Sequence, residues 1–323
     1  MKKQLAIWQL IYKSLHKHIS VMLLYVLESN GSSPGRQGFF MAVNALGEMQ
    51  GSIGGGMMEH KFVEMAKDKL RHNQQEFSVR KQIHDKNAVK DQSGMICSGE
   101  QTNFLYTVSE RDSVHIKNIL ECLEHNKTGL LKLSNAGLSF EENDIPSDNF
   151  SFSFQSDEEW LYRERIGYKN HLYIIGAGHC ALALSRIMKM MDFYIRLYDD
   201  RPRLNTFLEN DYVHEKTIVN NYTQLKDIIP SGDHNYVVVM TFGYRTDDIV
   251  IRSLFKKQFK YFGVLGSSKK MDKMFNDYDA EGIDKNKFSK IYAPIGLPIK
   301  SKTPEEIAVS IAAEIIQVKN EEC

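Results

Sequence analysis

The sequence predicts an α/β protein, with a Rossmann-like doubly wound parallel sheet in its C-terminal half and an α+β domain before it. Three observations carry this. From residue 172 onward, Val/Ile-rich runs alternate with helical patterns, as expected of parallel strands covered on both faces. The stretch "LYIIGAGHCALAL" sets Gly176, Gly178 and Ala181 in GxGxxG/A spacing between a strand and a helix. Before residue 168 the apolar runs are separated by Gly/Ser/Pro loops, and that alternation is missing.

The first element is an amphipathic helix whose spacing puts Leu5, Trp8, Tyr12 and Leu15 on one face. Gln9, Lys13, His16 and Lys17 interrupt the apolar core that a signal peptide needs. "VMLLYVLES" and "FFMAVNALGE" read as strands flanking the loop "NGSSPGRQG", with a turn at Leu46-Gly47. "GSIGGG" opens a helix from Met57 to about His72. "MICSGEQ" leads into the strand "TNFLYTV", a helix follows over Val114 to Glu124, and "GLLKLS", "NAG" and "LSFEE" form a hairpin. Residues 141–158 are polar and read as a connection holding one edge strand. The first domain therefore spans 1–167, with a linker from about 141, and the second spans 168–323.

In the second domain the strands are "LYIIG", "YIRLYD", "TIV", "YVVVMTF" and "YFGVLG". Helices follow Gly178 and cover Tyr222–Ile229, Asp247–Lys257, Ser268–Tyr278 and Thr303–Lys319. The last has a complete start signal: Thr303 as cap, Pro304 in the first turn and Glu306 to close a capping box.

Composition excludes several classes of function. The 323 residues hold 41 basic and 41 acidic side chains, so no net field draws the chain to nucleic acid or an anionic membrane. No apolar run approaches the roughly 20 residues of a membrane span. Cys97, Cys122, Cys180 and Cys323 are scattered, with no CxxC or Cys/His metal spacing, which points to a reduced, cytoplasmic protein. The methionines around 188–191 and 271–274 fall at helical spacing and read as core filler.

The candidate site residues follow from phosphate and thiolate chemistry. Gly176 permits a tight turn, Gly178 lets backbone approach a phosphate, and His179 could donate to it. Asp199 and Asp200 end the next strand, where an acid would meet a ribose hydroxyl. Gly266 and Ser267, before Lys269 and Lys270, occupy another strand end. In the first domain Gly54, Gly55 and Gly56 with Glu59 could line an anion site, and Ser33 and Arg36 lie in a loop suited to phosphate. Cys97, beside Ser98 and Gly99, could be a soft ligand or a buried small side chain. Cys122 and Cys180 read as structural.

Taken together, "GSSPGRQGFFMAVNALGEMQGSIGGGMME", "GMICSGEQ", "IIGAGHCALAL", "YDDRP", "GVLGSSKK" and "APIGLPIKSKTPEEIAVSIAAEI" resemble, in order and spacing, the XdhC/CoxI family. These are accessory proteins that mature molybdenum hydroxylases such as xanthine dehydrogenase. The resemblance implies an insertion chaperone that binds the molybdenum cofactor in its molybdopterin form and protects it during sulfuration. It implies Cys97 as a molybdenum or sulfido contact. It also implies two protein partners, a cysteine desulfurase and the apo-hydroxylase; a homodimer would cover the first domain's open surfaces. The alternatives are an NAD(P)-dependent oxidoreductase and a nucleotide-sensing regulatory module. No positioned His-Asp pair or Tyr-Lys spacing supports the former.

The sequence departs from the family pattern at four points. Gly35 stands where an arginine usually follows GSSP, and the Cys-Gly-Gly segment reads Cys97-Ser98-Gly99. Phe242 and Tyr244 replace two histidines of a T-H-x-H-x-x-D run that keeps Asp247, and Pro298 replaces an aspartate.

Overall fold

A strand with two buried faces needs a cover on each side, and in both halves the sequence supplies one. The computed structural model describes residues 2–83, 99–143 and 148–321. The chain divides into two compact units, Met1–Gly167 and Tyr168–Cys323.

The first unit opens with α1 (Lys2–His16) and β1 (Val21–Gly31), in which Val21 to Leu27 are all buried. β2 (Phe40–Asn44), β3 (Met49–Gly51), α2 (Gly56–Arg71), β4 (Phe77–Ile83) and β5 (Gly99–Val108) follow. The strands pair antiparallel in the order β3-β2-β1-β5-β4. Alternation sends Met22, Leu24 and Val26 to the face packed by Met58, Phe62 and Ala66 of α2. On the other face Tyr25 stacks on Phe40, whose ring meets Trp8 of α1.

α3 (Ser113–Glu124), β6 (Gly129–Ser134), β7 (Gly137–Glu141), β8 (Phe150–Ser156) and β9 (Glu159–Ile166) complete the unit. Their strands form a second antiparallel sheet, in the order β7-β6-β9-β8. β8 is the expected edge strand, but β9 corrects the linker expected from about 141 to 167. It is an interior strand that buries Trp160, Tyr162, Glu164 and Ile166. A buried carboxylate survives there because the Tyr25 and Tyr162 hydroxyls donate to Glu164 Oε2, at 2.5 and 2.7 Å. That contact also ties β1 of the first sheet to β9 of the second.

α1 forms as expected, but its buried stripe is Ile7, Trp8, Ile11 and Ser14, with Leu5, Tyr12 and Leu15 only half-buried. The helix is rotated because small Ser14 faces the sheet and accepts from Asn44 Nδ2 at 3.2 Å. Tyr12 instead packs edge-on against His16.

The second unit contains β10 (Asn170–Ile175), α4 (His179–Met190), β11 (Phe193–Asp199), α5 (Asn205–Leu208) and β12 (Glu215–Ile218). After these come α6 (Leu225–Ile228), β13 (Gly232–Val239), α7 (Tyr244–Leu254), β14 (Phe259–Val264), α8 (Ser268–Ala280) and α9 (Pro304–Asn320). The strands are parallel in the order β12-β11-β10-β13-β14, the doubly wound sheet the sequence predicts. Leu172 and Ile174 face α4 and α9, whereas Tyr173 and Ile175 face α7 and α8. Met188, Met271 and Met274 fill these cores as expected, but Met190 and Met191 are exposed. Among the described residues no helix is long and apolar enough to cross a membrane.

α9 starts as its sequence signals. Thr303 Oγ1 accepts from the Glu306 amide at 3.2 Å, and Glu306 reaches back to the Thr303 amide at 3.2 Å. Because α9 packs Ile311 and Ile315 into the core, fraying there is felt by the whole unit. Thr303→Ala is expected to cost about 1 kcal/mol, and Thr303→Ser much less, measured by urea denaturation.

His214 should give the unit an acid-sensitive component. Its Nδ1 accepts the Ile195 amide at 2.9 Å, so the neutral ring carries its proton on Nε2, toward the Tyr168 hydroxyl at 2.6 Å. Burial, then the positive charge of Lys189, pushes its pKa from 6.5 to about 4. Between those values the unfolded chain binds the extra proton, so this contribution is complete above the unfolded pKa and is lost as pH falls toward the folded one. The urea midpoint should therefore fall more steeply across that window in the wild type than in His214→Gln.

Candidate functional site

The parallel sheet of the second unit reverses its order beside β10: β11 and β12 lie on one side of it, β13 and β14 on the other. The chain leaving β10 and the chain leaving β13 turn to opposite faces of the sheet at this point, which is where open sheets of this kind take ligands. Gly176 carries the chain out of β10 at φ 101°, and a Cβ there would run into the Met240 carbonyl and Thr241. Gly178 differs. Its φ is −73° and nothing lies within 4 Å of where a Cβ would be, so this glycine is not required by packing. It is the N-cap of α4, whose first amides have no intrahelical acceptor and favour an anion. His179 is exposed at the start of that helix.

Asp199 is fully buried and does not serve as expected. Its Oδ2 accepts the Ala177 amide at 2.7 Å and Arg201 Nη2 at 2.8 Å. Oδ1 accepts the Arg201 amide at 2.9 Å and Nε at 2.8 Å. A carboxylate has about four acceptor positions, and the fold uses all of them, which leaves none for a ribose. Burial alone would raise this carboxyl's pKa, but the bonds from Arg201 and the two amides outweigh it and hold it below the ordinary aspartate range. Asp200 is exposed, with the Tyr222 hydroxyl donating to it at 3.2 Å. Ser267 caps α8 by accepting the Lys270 amide at 3.3 Å, and a Cβ on Gly266 would press on Met271. The Lys270 ammonium is paired with buried Asp247, which also accepts from the Thr241 amide at 3.1 Å and hydroxyl at 2.5 Å. Gly176, Gly178, His179, Asp199, Asp200, Gly266 and Ser267 thus gather at the carboxyl ends of β10, β11 and β14.

In the first unit glycines let three backbone segments touch. A Cβ on Gly54 would strike Gly35 and Pro34, and one on Gly99 would come within 2.6 Å of the Ser33 amide. Buried Gln101 joins the same segments. Its Oε1 accepts from Ser33 Oγ at 2.9 Å, and its Nε2 donates to the Ile53 carbonyl at 3.0 Å. The anion expected at Gly54–Gly56 is internal: Glu59 Oε2 accepts the Ile53 and Gly55 amides at 2.8 and 2.9 Å, and the Ser52 hydroxyl at 2.7 Å. Arg36 is exposed and donates to the Gly31 carbonyl at 3.0 Å. Cys97 lies outside the described residues. Burial pushes the Cys122 thiol up to about 11 and raises that of Cys180 as well, so neither offers a thiolate at neutral pH. Among the described residues no group of three or more His, Cys, Asp or Glu could hold a metal ion.

Two family models match the chain: the XdhC Rossmann domain over residues 172–315, and the XdhC and CoxI family over residues 14–80. The chain belongs to the XdhC and CoxI family. It is 25% identical over 300 residues to the uncharacterized protein YqeB of Escherichia coli (strain K12), covering 91% of this chain and 43% of that protein. It is 29% identical over 160 residues to a probable xanthine dehydrogenase subunit of Bacillus subtilis (strain 168), covering 49% of this chain and 46% of that one. The matched region is less than half the length of either relative. A solved structure described as a xanthine dehydrogenase from Bacillus halodurans shares the fold at 21% identity, with a TM-score of 0.69, over 98% of this chain and 96% of that one.

In this XdhC and CoxI family member, Phe242 is 88% exposed and lies 5.7 Å from the Arg201 guanidinium, while Tyr244 donates to Asp277 at 2.5 Å. Neither residue supplies a ring nitrogen at this strand end. Sequence reasoning passed over Gln101, because a lone glutamine in a strand gives no signal of burial. It also missed the Asp247–Lys270 pair, whose partners are 23 residues apart.

The two glycines of the turn should behave oppositely. Gly176→Ala combines a positive φ with a backbone clash and should lose at least about 2 kcal/mol of stability. Gly178→Ala should denature like the wild type. Parallel urea melts check both.

Proposed function

We propose that this chain is an accessory factor for a xanthine dehydrogenase-type molybdenum hydroxylase, holding the molybdopterin cofactor while it is sulfurated and delivering it. The observation that carries the reading is the open turn at Gly178 on a chain that also has both XdhC matches. The names of the Bacillus relatives support the choice of client.

The residues at the switch point fit the phosphate end of such a cofactor. Gly178 leaves room, the first amides of α4 offer donors, and exposed His179 stands at the same helix start. When bound, the cofactor would bring the molybdenum centre on which a hydroxylase depends. Cys97 is our candidate for the sulfur or metal contact, with Ser33, Gly54, Gly55, Gly56 and Gly99 shaping its unit's loops and Glu59 locking them. The client apo-enzyme and a cysteine desulfurase are the protein partners in this reading. Asp199 weighs against a dinucleotide dehydrogenase, because its acceptor positions are filled from within.

The test is anaerobic incubation with isolated molybdenum cofactor, removal of free ligand, and a count of what wild type, Cys97→Ala and Gly178→Ala retain. NAD, NADP and AMP are run beside it. About one cofactor per chain is expected for the wild type, with loss in Cys97→Ala and weakening in Gly178→Ala. Tight dinucleotide binding without cofactor retention would overturn the proposal.

A further inference from the structure

At the amino ends of β13 and β14, opposite the switch point, a groove of about 810 Å³ opens in the second unit. Lys256, Lys257, Lys260, Lys287 and Lys290 line it, against a single acid, Asp233. In a chain whose charges cancel, that is a local excess of one sign. Among the described residues Lys256, Lys257, Lys287 and Lys290 have no ion-pair partner, although lysines elsewhere, such as Lys67, Lys132 and Lys270, do. Charges of one sign held together without partners repel each other, so the arrangement favours a bound anion.

The lining distinguishes among anions. It contains no arginine and no glycine, so it offers neither a bidentate fork nor a close-approach backbone turn for phosphate. Its aromatic rings are engaged with other rings: Phe259 meets Phe262 edge-on at 5.6 Å, and Tyr292 stacks on Tyr261 at 4.7 Å. They are not splayed platforms for nucleobases.

The groove also runs beside a sheet edge. β14 is the last strand of its sheet among the described residues, and the bridge on its outer side, Gly263 to Tyr292, lies in its second half. Phe259 to Tyr261 have no further strand beside them among the described residues. An extended chain can pair with such an edge through its backbone while alternate side chains reach the lysines.

We propose that this groove docks an acidic, extended segment of a partner protein, by strand addition to the first half of β14. The proposal is independent of what the switch-point site binds.

The probe is a fluorescein-labelled peptide of about ten residues alternating Glu and Val, with the Gln-for-Glu peptide as its control. Binding to the full chain is followed by anisotropy, and backbone protection by hydrogen exchange. We expect the acidic peptide to bind in preference to the Gln version and to slow exchange at residues 259–261. Replacing Lys256, Lys257, Lys287 and Lys290 together with Gln should weaken it by about tenfold. The same number of substitutions at Lys67, Lys117, Lys127 and Lys132 should leave it unchanged, and circular dichroism verifies that both variants fold. Equal binding of the Gln peptide, no loss in the four-lysine variant, or protection confined to other residues would each overturn the proposal. So would tighter binding of inorganic tripolyphosphate or a single-stranded oligonucleotide, which would make the groove a general polyanion site.

Discussion

Backbone lying directly on backbone is the constraint on which both units depend. In the second unit the chain leaves β10 so close to the Met240 carbonyl that only a residue without a Cβ fits at 176. In the first, Gly35, Gly54 and Gly99 let the loop after β1, the loop before α2 and the start of β5 meet without side chains between them. Such contacts leave polar backbone groups short of partners. Nearby polar side chains then have to serve them, and this explains the positions of Gln101, Glu59 and Asp199.

Glu59 and Asp199 look, in sequence, like ligand-binding acids because each sits next to a glycine turn. Their position near such a turn has a second physical meaning. A carboxylate that accepts two or more backbone amides holds the turn in shape, and charge-assisted bonds are the strong ones. Asp199 joins the turn after β10 to the end of β11, and Glu59 closes the loop that precedes its own helix. What the fold does not consume is the space at Gly178, the first amides of α4 and His179. The site is therefore defined by what remains after internal bonding.

Much of this architecture was legible in the residues. The inner strands β10 and β13 end in continuous apolar runs because both faces are covered there, and α9 announces itself through Thr303, Pro304 and Glu306. β9 was not legible. "EWLYRERI" alternates, but Glu164 falls on the inward face, and a charge there reads as solvent-facing until its two tyrosine donors are seen. One of those tyrosines, Tyr25, is 139 residues away. The stripe of α1 was misplaced for a similar reason. Ser14 is buried by a hydrogen bond to Asn44, and no hydrophobic pattern marks it. Local periodicity finds elements; polar partners distant in sequence decide which face is buried.

The replaced histidines bear on what kind of site this is. At the end of β13 an exposed Phe242 stands where the family pattern has an imidazole, and Tyr244 is held by Asp277. Asp247, the retained acid, is buried, and the strand-end threonine and Lys270 bind it. A proton carrier must be reachable and have a pKa near the working pH; a phenyl ring has no titratable group, and Asp247 is not reachable. This strand end therefore presents the exposed Phe242 ring beside Arg201, where an imidazole would have offered a titratable nitrogen.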